Sequence, residues 1–509
     1  MKTNKLHTVC LLFFLVTFLS MQAQNTSNRV GSFDKLSIIG TSVIPGTAKY
    51  NEIGQTYRLT NSGSNIWFGH DTCTLLWKKM NGDFIIQTSV RFIGTGHELH
   101  RKAGIMIRKT GESDSPVVSC TVHGNGLTSL QYRIKAGEDM KEIKFAVSAP
   151  DVLQLEKKGN TYTMSAAHFG EVYEVQKLEN MDLGTDLLTG LFICSHNSKF
   201  SEEAEFSNVR VFNTAPDKLI PYKEYLGSLL EVMDVASGKR EILASAPGSW
   251  QAPNWTPDGK KLIYNADGKL YNFMLSTKVS TVLNTDFATN NNNDHVLTFD
   301  GKQIGISNQP AETKGQSVVY SVPVGGGVPK KITLNSPSYF HGWSPDSKFM
   351  LFTGQRNGDF DIYRISKDGG VEEQLTSAKG LDDGSEYSPD GRYIYFCSTR
   401  TGKMQVWRMD PDGKNQTQLT FDAFNNWFPH VSPDNKWLVF ITFPEEIPAD
   451  QHPFYQRVYL RMMPVGGGPV KVIGYLYGGQ GSMNVPSWSP DSKKIAFVSN
   501  GGFKFSNNQ

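Results

Sequence analysis

The chain has 509 residues, of which 39% are hydrophobic and 20% are charged, as in an ordinary globular protein long enough for two domains. Lys and Arg number 51 against 49 Asp and Glu, so the net charge is +2. A chain this close to neutral has no overall field that would gather nucleic acid or an anionic membrane, and we expect neither as a partner.

The first 23 residues have the order of a secretory signal peptide. Lys2 and Lys5 precede an apolar run over residues 9–19, and the small residue Ala23 follows. The alternative is a membrane anchor, but this run is shorter than the roughly 20 apolar residues that span a bilayer. We therefore predict cleavage after Ala23, export to the periplasm or the medium, and no membrane span.

Residues 31–214 alternate apolar and polar side chains between turns that contain Gly and Asn. This pattern predicts a two-sheet β-sandwich. Four segments resemble the concanavalin-like jelly-roll module of secreted proteins that act on glycans: residues 84–92, 102–108, 190–196 and 206–212. Cys73, Cys120 and Cys194 lie in strand-like segments and are predicted to be buried thiols, although an exported protein also admits one disulfide among them.

The second half of the chain repeats a Ser/Thr-Pro-Asp-Gly turn, or a close variant of it, six times. Pro presets the first turn dihedral, Asp bonds back to the backbone, and Gly or Asn tolerates the exit from the turn. The Ser or Thr positions lie 42, 46, 44, 44 and 57 residues apart: Thr256, Thr298, Ser344, Ser388, Ser432 and Ser489. Strand patterns fill the intervals four at a time, which predicts a six-bladed β-propeller over residues 226–509.

The last repeat is followed by the pattern of only two strands, within residues 486–499. Two unpaired strand patterns precede the first repeat, at residues 228–236 and 239–244. We predict that these pieces pair in one mixed blade, because closing the ring removes the exposed sheet edges. The repeats resemble those of the TolB family, which implies the propeller fold. That family carries an α/β domain before its propeller, in place of the sandwich predicted here.

Polar residues precede the turns on the opposite face of the predicted ring. His295, His341 and His430 come from three blades there, and imidazoles that converge on one axis suit a divalent metal. Their positions resemble those of the channel histidines of the oligogalacturonate lyases, which implies bound Mn, Ca or Zn and elimination chemistry at a uronate. For each histidine, the alternative is a polar side chain satisfied at the end of a strand.

The longest insertion, residues 442–456, is predicted to lean over the same face and to carry His452 with it. An ordered cover for a sheet edge is the alternative. Trp427 and Tyr339 lie beside this face, where they would either stack on sugar rings or pack one blade against the next. Asn254 is predicted to contact the substrate from the first blade.

Arg356 and Arg400 occupy matched positions in adjacent blades. A guanidinium binds a carboxylate through two parallel hydrogen bonds, so this pair is a candidate clamp for a uronate. The resemblance to TolB repeats implies the alternative, one structural Arg in each blade.

The leading hypothesis is an exported carbon–oxygen lyase, either depolymerising or dehydrating, that acts on uronate-containing acidic oligosaccharides in polysaccharide degradation. His452, His430 and Glu386 are the candidate catalytic residues. The first alternative is a non-catalytic TolB-like protein that binds glycan or protein as a scaffold. The second is a glycoside hydrolase that pairs Glu386 with Asp382 or Asp383. No obligate protein partner is predicted.

Overall fold

The computed structural model describes residues 29–503, so the predicted signal peptide lies outside the described residues. Fourteen strands form two antiparallel sheets, with the orders β1-β4-β13-β6-β7-β8-β9 and β12-β11-β10-β5-β14-β3-β2. These strands are β1 (Lys35–Ile39), β2 (Ala48–Asn51), β3 (Thr56–Asn61), β4 (Cys73–Met80), β5 (Phe84–Ile93), β6 (Lys102–Arg108), β7 (Val117–His123), β8 (Thr128–Arg133), β9 (Lys141–Lys144), β10 (Val152–Lys158), β11 (Thr161–Ala167), β12 (Glu174–Leu178), β13 (Leu187–Cys194) and β14 (Glu202–Asn213).

The two sheets face each other across one core. Alternate residues of each strand point inward, so that Ile86 and Leu155 of one sheet pack with Ile105 and Leu191 of the other. The predicted all-β class is confirmed, whereas the likeness to the concanavalin-like module stays a prediction. Four cysteines of the described residues are buried and unpaired: Cys73, Cys120, Cys194 and Cys397.

Strands β15 to β37 form a propeller of six blades. Five blades have four strands in chain order, and the sixth has the order β16-β15-β37. These strands are β15 (Gly227–Asp234), β16 (Arg240–Ala246), β17 (Trp250–Trp255), β18 (Lys261–Ala266), β19 (Lys269–Met274), β20 (Val279–Leu283), β21 (Asn291–Leu297), β22 (Gln303–Asn308), β23 (Val318–Pro323), β24 (Lys330–Lys331), β25 (Ser338–Trp343), β26 (Phe349–Gln355), β27 (Phe360–Ser366), β28 (Glu373–Gln374), β29 (Asp382–Tyr387), β30 (Ile394–Ser398), β31 (Gln405–Met409), β32 (Thr417–Gln418), β33 (Asn425–Val431), β34 (Trp437–Phe443), β35 (Gln456–Pro464), β36 (Lys471–Gly478) and β37 (Lys494–Gly501). A 3-10 helix spans Ala311–Thr313.

The sixth blade is made from both ends of the propeller. β15 pairs with β37 over its whole length, and Trp488 bridges to Ile495 on the inner side of β37. The predicted six-bladed propeller with one mixed blade is therefore confirmed. Within residues 29–503, no helix is both long enough and apolar enough to cross a membrane.

Each repeated turn is held by one side-chain hydroxyl. In the fourth copy, Ser388 Oγ donates to Asp390 Oδ1 at 2.7 Å and accepts from the backbone N–H of Tyr393 at 3.0 Å. The other five copies repeat the hydroxyl-to-Asp bond at 2.6 or 2.7 Å. Gly391, the residue after Asp, has a φ of +71°, a conformation that Gly adopts without strain.

A buried ion cluster joins the sandwich to the propeller. Glu231 of β15 is fully buried and accepts from Arg210, which lies on β14 of the sandwich. It also accepts from Arg240 of β16 at 2.6 and 3.0 Å and from Ser499 at 2.5 Å. Burial alone would raise the pKa of Glu231, but the two guanidiniums outweigh it and lower that pKa to about 2.

Candidate functional site

A cavity of about 930 Å³ opens where the inner ends of the blades meet. All six blades contribute to its wall, together with the insertion between β34 and β35 and the linker that precedes β15. Within the described part of the chain, its lining contains no Lys and no Arg. The charged and titratable lining residues other than tyrosine are five aspartates and two histidines: Asp267, Asp294, Asp359, Asp383, Asp450, His341 and His452.

β-Bulges in the innermost strands decide which residues reach this cavity. The register shifts once in each of β17, β21, β25, β29 and β33, and a bulge re-aims the side chains beside it. Asp294 and His341 lie inside two of these bulges and line the cavity. Regular strand pairing resumes at Asn254, His295 and Glu386, and these three side chains do not line the cavity.

An ion pair lies on one side of the cavity. His341 Nε2 is 2.8 Å from Asp383 Oδ1, which also accepts from Thr353 Oγ1 and from the backbone N–H of Gly384, both at 2.8 Å. Burial opposes both charges, but the pair outweighs it: the pKa of His341 is raised and the pKa of Asp383 is lowered from their ordinary values. The pair therefore favours an ionised Asp383 and a protonated His341 beside it in the cavity.

Asp294 is buried in the same wall, and its side chain has no cationic hydrogen-bond partner among residues 29–503. Its Oδ2 accepts a hydrogen bond from Asn292 Nδ2 at 2.5 Å. The residue is only 5% exposed. Burial raises the pKa of Asp294 to about 6, and the nearby charge of Asp383 adds to that rise, whereas His341 opposes it. A pKa of about 6 leaves a protonated fraction of Asp294 near neutral pH.

The insertion brings His452 over the cavity, as the sequence predicts. His452 Nδ1 lies 2.7 Å from Gln480 Oε1, and its ring packs against Trp427 and Phe428 at centroid distances of 4.4 and 5.2 Å. Burial lowers the pKa of His452. A neutral imidazole is therefore available in the cavity near neutral pH.

Aromatic side chains also line the cavity. Tyr339 and Phe360 come from the third blade, with ring centroids 6.3 Å apart. Tyr222 and Tyr225 come from the linker, and Tyr222 packs edge-on against Phe454 at 5.0 Å. No repeat or motif falls within this linker, so reasoning from the sequence assigned it no role.

The other predicted site residues support the blades instead. Asn254 donates to the backbone oxygen of Pro486 and accepts from Leu297. Trp427 is fully buried behind His452. The structure thus brings Tyr339, His341 and His452 together at the cavity and places Asn254 and Trp427 outside its lining.

The candidate carboxylate clamp is also occupied within the blades. Arg356 binds Glu372 at 2.8 Å and the Pro337 backbone oxygen at 2.7 Å. Arg400 binds Asp382 at 2.7 Å. Neither guanidinium lines the cavity. Both arginines therefore have the structural role within a blade that the resemblance to TolB repeats implies.

The predicted metal trio does not converge. His295 Nε2 lies 3.1 Å from the Ile263 backbone oxygen, whereas His430 Nδ1 lies 2.7 Å from Glu386 Oε2, and His341 pairs with Asp383. Across residues 29–503, no group of three His, Cys, Asp or Glu side chains is placed to hold a metal ion. The residues therefore do not fit the Mn, Ca or Zn expected from the sequence.

The comparisons with known proteins concern the propeller. The family model described as TolB beta propeller domain matches residues 335–449. An uncharacterized protein of Agrobacterium fabrum is 42% identical over 272 residues, 53% of this chain and 92% of that protein. A solved structure from Agrobacterium tumefaciens, provisionally named TolB, is 41% identical with a TM-score of 0.52, and the match covers 55% of this chain and all of the other.

A six-bladed propeller with a polar cavity on its axis defines the general class of this protein. The chain belongs to the TolB-like β-propeller family. An oligogalacturonate lyase in complex with manganese is also similar, at 13% identity and a TM-score of 0.34 over 50% of this chain and 74% of that one, a likeness too low to bear on function.

Proposed function

We propose that this protein is a TolB-like binding protein, exported from the cell, that takes a hydroxyl-rich glycan segment into the axial cavity. The observation that carries the proposal is the lining of the cavity, in which Asp, Asn and aromatic side chains surround about 930 Å³ without a Lys or Arg among the described residues. Carboxylate and amide groups orient hydroxyls, and aromatic faces stack on sugar rings.

The described lining contains no Lys or Arg, and this argues against the acidic oligosaccharide that was predicted from the sequence. A uronate carboxylate entering the cavity would meet the carboxylates of Asp294 and Asp383 but no guanidinium of the described lining, and like charges repel. Neutral or positively charged glycans meet no such barrier.

Replacing Asn293 by Ala is expected to weaken glycan binding about fivefold to tenfold, because one hydrogen bond contributes about 1 kcal/mol. Asn293 lines the cavity and is 3% exposed. Calorimetry of the purified chain against a panel of neutral, amine-bearing and acidic oligosaccharides measures the effect. Asn335→Ala, an exposed site outside the lining, is the matched control and should bind as the unchanged chain does. Failure of every glycan to bind would reject the proposal.

A second candidate function is elimination at a uronate, and the neutral His452 in the cavity favours it. His452 would take the proton from the carbon next to the carboxyl group, a carbon–carbon double bond would form as the carbon–oxygen bond breaks, and protonated Asp294 would give its proton to the leaving oxygen. In the described lining, the substrate carboxylate would meet His341 and neutral donors but no Lys or Arg that could neutralise it, which is why glycan binding is the first proposal.

His452→Ala is expected to lower any such elimination at least 100-fold, the usual worth of a positioned general base. Ultraviolet absorbance of the new conjugated double bond, followed with uronate oligosaccharides, measures it. His70→Ala in the sandwich is exposed and serves as the control. If the unchanged chain produces no new absorbance with any uronate oligosaccharide, elimination is excluded. The proposal of glycan binding is not affected by that result.

A further inference from the structure

We infer that the glycan in the axial cavity carries free amino groups, as an oligosaccharide of amino sugars does. This inference rests on the proposed binding function and names the chemistry of its ligand. It is carried by the charge of the cavity, by unpartnered polar atoms in its wall and by the aromatic side chains around its rim.

The cavity has an excess of negative charge. Of its five aspartates, only Asp383 has an ion-pair partner among the described residues, His341. The remaining four have none there: Asp267, Asp294, Asp359 and Asp450. Five aspartates of the described lining are opposed there only by His341 and His452, and a positively charged ligand would offset this excess of negative charge.

Asp294 is the carboxylate that a ligand would affect most. It is 5% exposed and receives a hydrogen bond from the neutral side chain of Asn292. A buried charge without an opposite partner is costly. An ammonium group beside Asp294 would make a charge-assisted hydrogen bond, which is about twice as strong as a neutral one.

Two amides in the same wall point independently to a ligand. Asn293 Nδ2 and Asn291 Oδ1 are buried and have no hydrogen-bond partner, and both residues line the cavity. Unpartnered buried polar atoms are rare in folded proteins. One of these atoms is a donor and the other an acceptor, and a sugar hydroxyl can serve either one, because it both donates and accepts.

The aromatic rim suits the same ligand. Tyr339 and Phe360 present rings at the rim, and Tyr222 adds a third, 65% exposed, from the linker. Aromatic faces attract cations within about 6 Å and stack on the apolar faces of sugars. A lysine-bearing peptide offers the ammonium group without the hydroxyls, so the amides favour the amino sugar.

The test is calorimetry of the full chain with three oligomers of equal length: glucosamine, N-acetylglucosamine and galacturonate. We expect glucosamine oligomers to bind at least tenfold more tightly than their N-acetylated counterparts, and galacturonate oligomers not to bind. Asp294→Asn should reduce the preference for glucosamine over N-acetylglucosamine oligomers about tenfold, because it removes the carboxylate that would pair with the ammonium group. Asp286→Asn, an exposed site outside the cavity lining, should leave that preference unchanged.

The outcomes separate the two proposals. Equal binding of both neutral and amine-bearing oligomers would overturn the amino-sugar inference and leave the glycan-binding function standing. Binding of galacturonate alone would likewise overturn the amino-sugar inference but not the glycan-binding function, whereas failure of all three oligomers to bind would overturn both. A short lysine peptide is a fourth ligand in the series, and tighter binding of that peptide than of glucosamine oligomers would also overturn the inference. A thermal unfolding midpoint of Asp294→Asn close to that of the unchanged chain shows that the variant is folded.

Discussion

Replacing Glu231 by Gln is expected to lower the free energy of unfolding by about 3–5 kcal/mol, because it leaves two buried guanidiniums without their carboxylate. Arg210 and Arg240 are 5% and 4% exposed and both bind Glu231. Since Arg210 lies on the last strand of the sandwich, the loss also loosens the joint between the two halves. Urea unfolding, followed by fluorescence, measures the change.

Glu241→Gln is the matched control for this substitution. Glu241 is half exposed and lies 3.6 Å from Lys278, a surface pair that contributes less than about 1 kcal/mol. A loss below 1 kcal/mol in Glu231→Gln as well would show that the cluster does not hold the joint.

The same cluster predicts a pH dependence. The pKa of Glu231 is about 2 in the folded chain and about 4.3 in an unfolded one. A lowered folded pKa contributes stability that is complete above the unfolded value and is lost as the pH falls toward the folded value. The unchanged chain should therefore lose more stability than Glu231→Gln between about pH 4.3 and pH 2.

Asp71→Asn is the second substitution with a large expected effect, again about 3–5 kcal/mol. Asp71 is 1% exposed and binds Arg108 at 2.5 Å and Arg133 at 2.7 Å, both of them fully buried. These arginines also donate to backbone oxygens of Glu112 and Phe68. The cluster thereby holds two loops against the outer face of one sandwich sheet.

Thermal and urea unfolding measure the loss, and hydrogen exchange of the two loops reports where the structure loosens. Asp139→Asn, exposed in a neighbouring loop, is the control and should stay within about 0.5 kcal/mol of the unchanged chain. Unaltered exchange in both loops would contradict the role given to Asp71.

The sequence predicted the propeller because its strongest signal is local. The hydroxyl, carboxylate and backbone groups that hold Ser388 to Tyr393 lie within six residues of one another, so the same short motif appears wherever the same turn is needed. Counting the copies counts the blades, and the two unpaired strand patterns at each end predict the mixed blade that β15 and β37 form.

The site was predicted less well because bulges intervene between the turn and the cavity. Residues at equal distances from the turn, such as Asn254 and Glu386, were expected to face the axis, but each bulge inserts residues that turn these side chains toward neighbouring blades. A bulge depends on how two strands pair, so the sequence of either strand alone does not predict it.

By itself, the sequence determined the all-β class, the number of blades, the closure of the ring and the face on which His341 and His452 meet. Only the tertiary structure decided that Asp294 and Asp383 share one cavity, that Arg356 and Arg400 do not reach it, and that the linker supplies Tyr222. The physical reason is the separation along the sequence of the groups that interact. Turns are closed by neighbours along the chain, whereas the charge of a cavity depends on strand register and on segments that are distant in sequence.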